Sequence, residues 1–349
     1  MTYFYSSKQI SRYAFSSTGS TSFKDSPISG PSCNRNTSRP SHQEVVKNLD
    51  SLFSNLLAPS SRQVYSRAWT LFNQCMSDMS LPYCTLQSLP IEPEQILVYI
   101  SYLHLLGRSP ATITTYTSAI GYVHKINSHT DPTSNYLVQK TLATINRIYG
   151  SSDSRLPITQ MVLQQLLFAI DNTISIQYHR YLLKAMFITA FYGLFRIGEL
   201  TIQKSGVVSL MFEDIQINSN SIKLSIRNFK NNTSNHTFDI EIFRQIGTKH
   251  CPYDILKDYL SLRGNSPGPL FCLPDLSHVS RSFFTKHLKQ CLQFSGFDPR
   301  LYLSHSFRIG GASYLASIGC TDLQIKILGR WKSDSFIRYI RGQKYNIRV

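Results

Sequence analysis

The stretch 177–194 constrains this 349-residue chain more than any other. It carries helical periodicity, and its second half (Leu182, Leu183, Ala185, Met186, Phe187, Ile188, Ala190, Phe191) is almost wholly apolar. A helix that is apolar all round must be covered all round, by protein or by lipid. No apolar run reaches the roughly 18–20 residues that span a bilayer. The helix is therefore expected inside a globular core, and the chain is long enough for two such cores.

The flanks sort into segments. Residues 1–43 are Ser-rich, with Pro27, Pro31 and Pro40 and no sustained apolar period, which predicts a disordered arm. Over 44–150, apolar side chains recur at helical spacing in five stretches, with Ser60-Ser61 as cap for the second. The third follows Pro93, the fourth follows Ser109-Pro110, and the fifth ends at Gly150. This predicts a helical domain over 44–150, then an exposed linker at 151–157. Residues 158–349 mix types. Helices are expected at 159–171, 177–194, 251–263, 280–295, 306–318, 321–328 and 334–341. Alternation through Ile215 and Ile217, then Ile222, Leu224 and Ile226, then Phe238, Ile240 and Ile242 predicts three antiparallel strands. The expected fold class is mainly α with a small antiparallel sheet.

Charge narrows the partners. Lys+Arg number 36 against 20 Asp+Glu, a net charge of +16. Such a surplus points to a polyanion, either nucleic acid or an acidic membrane surface. It is concentrated in 151–349 and is densest from Lys326 to Arg348, where Asp334 alone opposes the cations. The cysteines (Cys33, Cys75, Cys84, Cys251, Cys272, Cys291, Cys320) include no C-x-x-C pair, which argues against a disulfide framework or a zinc site. The N-terminus lacks the layout of a secretory signal. A soluble, intracellular protein is expected.

Four places carry chemistry. In Ser304-His305-Ser306-Phe307-Arg308, Ser304 is a good N-cap and Gly319 a good terminator for a helix. His305 and Arg308, three apart on its first turn, point to one side, next to free backbone N–H groups. Arg196 lies where the apolar helix breaks, in Gly193-Leu194-Phe195-Arg196-Ile197-Gly198-Glu199. Glu199, three residues on, can orient a guanidinium while its other donors stay free. Lys230 ends the second strand and enters a polar turn. Thr321-x-x-Gln324 forms a capping box, and Gly329-Arg330-Trp331-Lys332 leads through Ser333, as cap, to a last helix holding Phe336, Tyr339 and Ile340. Each has a bland alternative: a capping histidine, a surface ion pair, a solvated lysine, a packing tyrosine.

Together, in the order Arg, Lys, His-x-x-Arg, Trp, Tyr, they resemble the tyrosine recombinase/integrase family, in particular the eukaryotic mobile-element branch of DIRS-like elements and Cryptons. His305-Ser-Phe-Arg308-Ile-Gly and Leu328-Gly-Arg-Trp331-Lys-Ser-Asp fall as in that branch. The resemblance covers about 44–349 and implies a helical core-binding domain followed by an α+β catalytic domain. It implies Arg196 and Arg308 as phosphate-clamping arginines and Lys230 as the hairpin lysine. His305 matches the histidine of H-x-x-R, Trp331 the His/Trp position, and Tyr339 the nucleophile, with Glu199 in support. Two departures stand out: the turn after Lys230 lacks the family's Thr-Asp-Gln, and little chain follows Tyr339.

The implied activity is recombination or integration of DNA through a phosphotyrosine intermediate, as in transposons. Covalent catalysis keeps the energy of the phosphodiester, so no ATP, metal or other cofactor is required. The implied partner is double-stranded DNA, with self-assembly into a dimer or tetramer, no membrane, and a nuclear location if the source is eukaryotic. Two other readings fit the residues: a catalytically inactive DNA-binding protein derived from a mobile element, and a type IB topoisomerase.

Overall fold

The computed structural model describes residues 41–81, 88–150, 154–203, 210–227, 229, 237–248 and 250–340. The chain divides into two units, Met1–Ser152 and Asp153–Val349. Most of the expected Ser-rich arm, Lys230 with its polar turn, and the segment after Ile340 lie outside the described residues.

The first unit holds α1 (His42–Ser54), α2 (Pro59–Asp78), α3 (Pro93–Leu105), α4 (Pro110–Ile126), a 3₁₀ turn (Pro132–Ser134) and α5 (Tyr136–Tyr149). Three of these helices start on proline, whose fixed φ suits the first helical position and whose missing N–H has no partner to lose there. Proline takes over from the cap expected at Ser60-Ser61: Ala58 is the N-cap of α2 and makes no side-chain bond. Phe72, Met76, Ile96, Tyr99, Leu103 and Ile120 form the centre of the core. The buried Tyr99 hydroxyl is satisfied by donating to the Ala68 carbonyl at 2.8 Å. Helix α1 starts at His42 through a Ser41/Glu44 capping box but buries none of its side chains.

His124 is a fully buried polar residue of this core. Its Nε2 accepts the Ile91 N–H at 2.9 Å, so the proton must sit on Nδ1, which donates to the Ile120 carbonyl at 2.8 Å. Burial lowers its pKa. The unfolded chain therefore binds the proton more readily than the folded one. The stabilisation is whole above about pH 6.5 and declines as pH falls through the lower folded value. Melting of the protein between pH 8 and 5 should show this loss. His124→Leu should flatten it while costing about 1–3 kcal/mol at pH 8, because the Ile91 N–H is orphaned.

The second unit is built around α7 (Gln177–Tyr192), whose residues from Ala185 to Phe191 are all buried. Around it lie α6 (Gln160–Thr173), the one-turn α8 (Ile197–Leu200), α9 (Pro252–Arg263), α10 (Arg281–Phe294), α11 (Ser306–Ser317) and α12 (Asp322–Leu328). The sheet β1 (Ile215–Ile217), β2 (Ser221–Ile226), β3 (Phe238–Phe243) is antiparallel in that order. Leu224 faces both Ile215 and Ile240, and Ile222 faces Ile242, so one apolar face closes the core, while Ile217 at the end of β1 stays exposed. This is the mainly helical fold with a small antiparallel sheet expected from the sequence. No helix of the described residues is long and apolar enough to cross a membrane. The Leu156 and Ile158 N–H groups donate to the Leu301 and Ser306 carbonyls, so the end of the stretch expected as linker is anchored to this unit.

Two consecutive glycines bring the functional segments together. A Cβ on Gly310 would collide with the Ile158 backbone, and one on Gly311 with the Phe191 carbonyl and the Leu194 side chain. Only glycine lets α11 approach the end of α7 backbone to backbone.

Three local expectations are corrected. Helix α7 ends at Tyr192, because Gly193 caps it and Leu194 turns left-handed at φ 49°. The N-cap of α11 is His305 and not Ser304: the His305 carbonyl accepts from the Arg308 and Ile309 N–H groups. The last element is a 3₁₀ helix (Asp334–Tyr339), since the Ser333 hydroxyl donates to Ser335 and makes no cap.

Candidate active site

The break after α7 presents Arg196 as the N-cap of α8. Its N–H and Nη1 donate to the two oxygens of Glu199, at 2.9 and 3.0 Å. The Arg196 side chain is 24% exposed and that of Glu199 4%, so the arginine reaches outward from a carboxylate held inside.

Arg308, on the first turn of α11, is fully buried. One Nη donates to the Leu194 carbonyl and the other to the Gly329 carbonyl, while Nε has no partner among the described residues. The Trp331 ring covers its guanidinium, 4.0 Å from the centroid. Gly329 leaves room for that ring, which a Cβ would strike.

The 3₁₀ helix then delivers Tyr339. The Ser313 hydroxyl on α11 donates to the Tyr339 carbonyl at 2.9 Å, and Lys326 on α12 holds Asp334 at 2.7 Å. Phe336 anchors the segment in a small apolar cluster with Leu194, Ala312 and Ile325. The half-buried Tyr339 ring lies 5.0 Å from the His305 ring and 5.4 Å from Trp331. His305, Arg308, Trp331 and Tyr339 therefore form one contiguous group, while Arg196 and Glu199 join it through a further arginine.

That residue is Arg330, which the sequence reading did not single out. It is buried, and its Nη2 donates to Glu199 Oε2 at 2.8 Å and to the Leu194 carbonyl at 3.1 Å. In sequence it is one more cation in a basic tail. The signal that could have found it is its place between Gly329 and Trp331, where the chain must turn sharply.

Electrostatics follow from the burial. Desolvation lowers the pKa of Arg308, and the neighbouring Arg196 and Arg330 lower it further. Desolvation also lowers that of Arg330. Burial alone would raise the Glu199 carboxyl, but Arg330 and then the Arg196 N–H outweigh it and hold the group below the usual carboxylate range. Three guanidiniums against one carboxylate make a pocket short of negative charge, which an anion would relieve.

No protein-family model matches the chain, and no curated protein matches it in sequence. Solved structures do match it in fold. The XerH site-specific recombinase in its post-cleavage complex with a palindromic difH substrate superposes with a TM-score of 0.57 at 16% identity, over 80% of this chain and 75% of that one. A lambda integrase dimer bound to a COC′ core site gives 0.56 at 14% identity, over 87% and 79%. The Tn1549 transposon integrase with transposon right end DNA gives 0.57 at 14%, over 84% and 93%. The chain thus shares the fold of these recombinases and integrases, with a three-stranded sheet and helices consistent with the tyrosine recombinase catalytic domain.

Proposed function

We propose that this chain is a site-specific DNA recombinase/integrase that cuts and rejoins DNA through a 3′-phosphotyrosyl intermediate, with Tyr339 as nucleophile. The reading is carried by the Tyr339 ring lying against His305, beside a buried Arg308 whose Nε has no partner among the described residues. Buried donors in native proteins are rarely left unpaired, and a phosphate oxygen would complete this one. Arg196, whose side chain is 24% exposed, meets the phosphate first, and Trp331, stacked on Arg308, supports the site by packing or donates its indole N–H to the phosphate.

The Tyr339 oxygen then attacks phosphorus, forming a P–O bond as the bond to the 5′-oxygen breaks. The phenolic proton passes to His305, and Lys230 protonates the departing 5′-oxygen. Attack by a 5′-hydroxyl of another strand reverses both steps. The two arginines neutralise charge that grows on the non-bridging oxygens. The partner is double-stranded DNA, gripped by lysines and arginines of both units, so affinity falls steeply with salt. The related structures were solved on DNA, including a lambda integrase tetramer on a Holliday junction, and we extend dimeric or tetrameric assembly to this chain. The His305–Gly310 and Leu328–Asp334 motifs favour a mobile-element origin of the DIRS/Crypton type, with a nuclear location in a eukaryotic host.

One observation favours a second reading. Both Nη groups of Arg308 are committed to backbone carbonyls, as in an arginine with a structural role alone. The chain would then be a catalytically inactive DNA-binding protein. Incubation with nicked duplexes of randomised sequence separates the two. The first predicts a detergent-resistant protein–DNA adduct that Tyr339→Phe abolishes. Duplex binding with no adduct supports the second, and relaxation of supercoiled plasmid by the protein alone would mark a type IB topoisomerase instead.

A further inference from the structure

Arg330 has no part in the steps above, yet its side chain is only 1% exposed. Its backbone is left-handed at φ 55°, a conformation that a non-glycine residue holds only where its surroundings impose it. Those surroundings are specific. Nη2 donates to Glu199 Oε2 and the Leu194 carbonyl, and Nη1 to the Leu328 and Gly193 carbonyls at 3.2 and 3.4 Å. The rings of Phe195 and Phe238 close over the guanidinium at 5.0 and 5.6 Å. The Leu194 carbonyl, itself on a left-handed residue, is shared between Arg330 and Arg308.

Glu199 divides its oxygens between two arginines. Oε2 takes Arg330 Nη2 and the Arg196 N–H, while Oε1 takes Arg196 Nη1. Two guanidiniums against one carboxylate leave a net positive charge. Without Arg330, the whole carboxylate charge would fall on Arg196, and its freed oxygen could bind a second Arg196 donor.

We infer that Arg330 is a positioning residue: by holding one oxygen of Glu199 and offsetting its charge, it stops the carboxylate from engaging Arg196 fully and leaves the outward donors of Arg196 open to a DNA phosphate. The identity of that anion rests on the functional reading above.

The test is single-turnover adduct formation on nicked duplexes at saturating DNA. Arg330→Gln should slow it about 100-fold, a loss of the size seen when one anion-stabilising donor is removed. Its affinity for duplex should stay within about threefold of the parent protein, which separates a loss in rate from a loss in binding. Adding Glu199→Gln should recover about tenfold or more, because the carboxylate that captures Arg196 is gone. Arg330→Lys, which keeps the charge without the fork, should fall in between. A double variant no faster than Arg330→Gln overturns the inference, as does a parent-like rate for Arg330→Gln. Should Arg330→Gln fail to fold, the same comparison is made with Arg330→Lys, with and without Glu199→Gln. If the parent protein forms no adduct, the functional reading fails, and the inference is decided by a DNA-free crystal structure of whichever Arg330 variant folds. Arg196 drawn into a second side-chain hydrogen bond with Glu199 supports it, and an unchanged contact overturns it.

Discussion

Arg308→Met should lower the rate of adduct formation by about 10²–10³-fold, the usual consequence of losing one preorganised donor at a developing negative charge. Its effect on stability should be far smaller. The Gly329 carbonyl loses its side-chain partner, at about 1–3 kcal/mol, but a buried cation crowded by Arg196 and Arg330 is removed at the same time. The Leu194 carbonyl keeps Arg330 as donor. Methionine refills the space beneath Trp331, so the two terms should offset to within about 2 kcal/mol. A urea melt beside the single-turnover assay reads both quantities. A parent-like rate would remove Arg308 from the reaction, and a large loss of stability with little loss of rate would make it a structural arginine.

Glu199→Ala should have the largest effect on folding, about 3–5 kcal/mol, because it leaves Arg330 buried without a counter-charge. The corresponding acid dependence has a definite sign. The folded carboxyl is held below its ordinary value of 4.5, so its stabilisation is whole above that pH and is lost as pH falls through the lower folded value. Denaturant melts from pH 7 to 3 should therefore show the parent and the Ala variant drawing closer together as pH falls below about 4.5. Curves that remain parallel would mean that Glu199 is not charged in the folded protein.

Much of this architecture is legible in sequence because it rests on local rules. Prolines mark the starts of α3 and α4, period-two alternation marks β1 to β3, and the all-apolar run marks α7 as central. The grouping of His305, Arg308 and Tyr339 is legible only as a pattern, since no local rule brings α11 and the last 3₁₀ helix together. Packing does that, through Phe336 and the Ser313 hydroxyl. Arg330 is illegible for the same reason. Its environment is set by Glu199 and by the left-handed turn at Leu194, far away in the chain, and no propensity scale anticipates a buried arginine in a basic tail. The last element goes wrong at its cap: Ser333 reads as a helix start, but its hydroxyl is taken by Ser335.

These distant residues are expected to act on one backbone phosphorus through Tyr339, and a tandem mass spectrum of the nucleotide-bearing peptide recovered after digestion of the covalent complex measures this directly. The expected spectrum carries a phosphodiester on the Tyr339 side chain, joined to the 3′ end of the cut strand. Attachment to any other residue, or to a 5′ end, would contradict it.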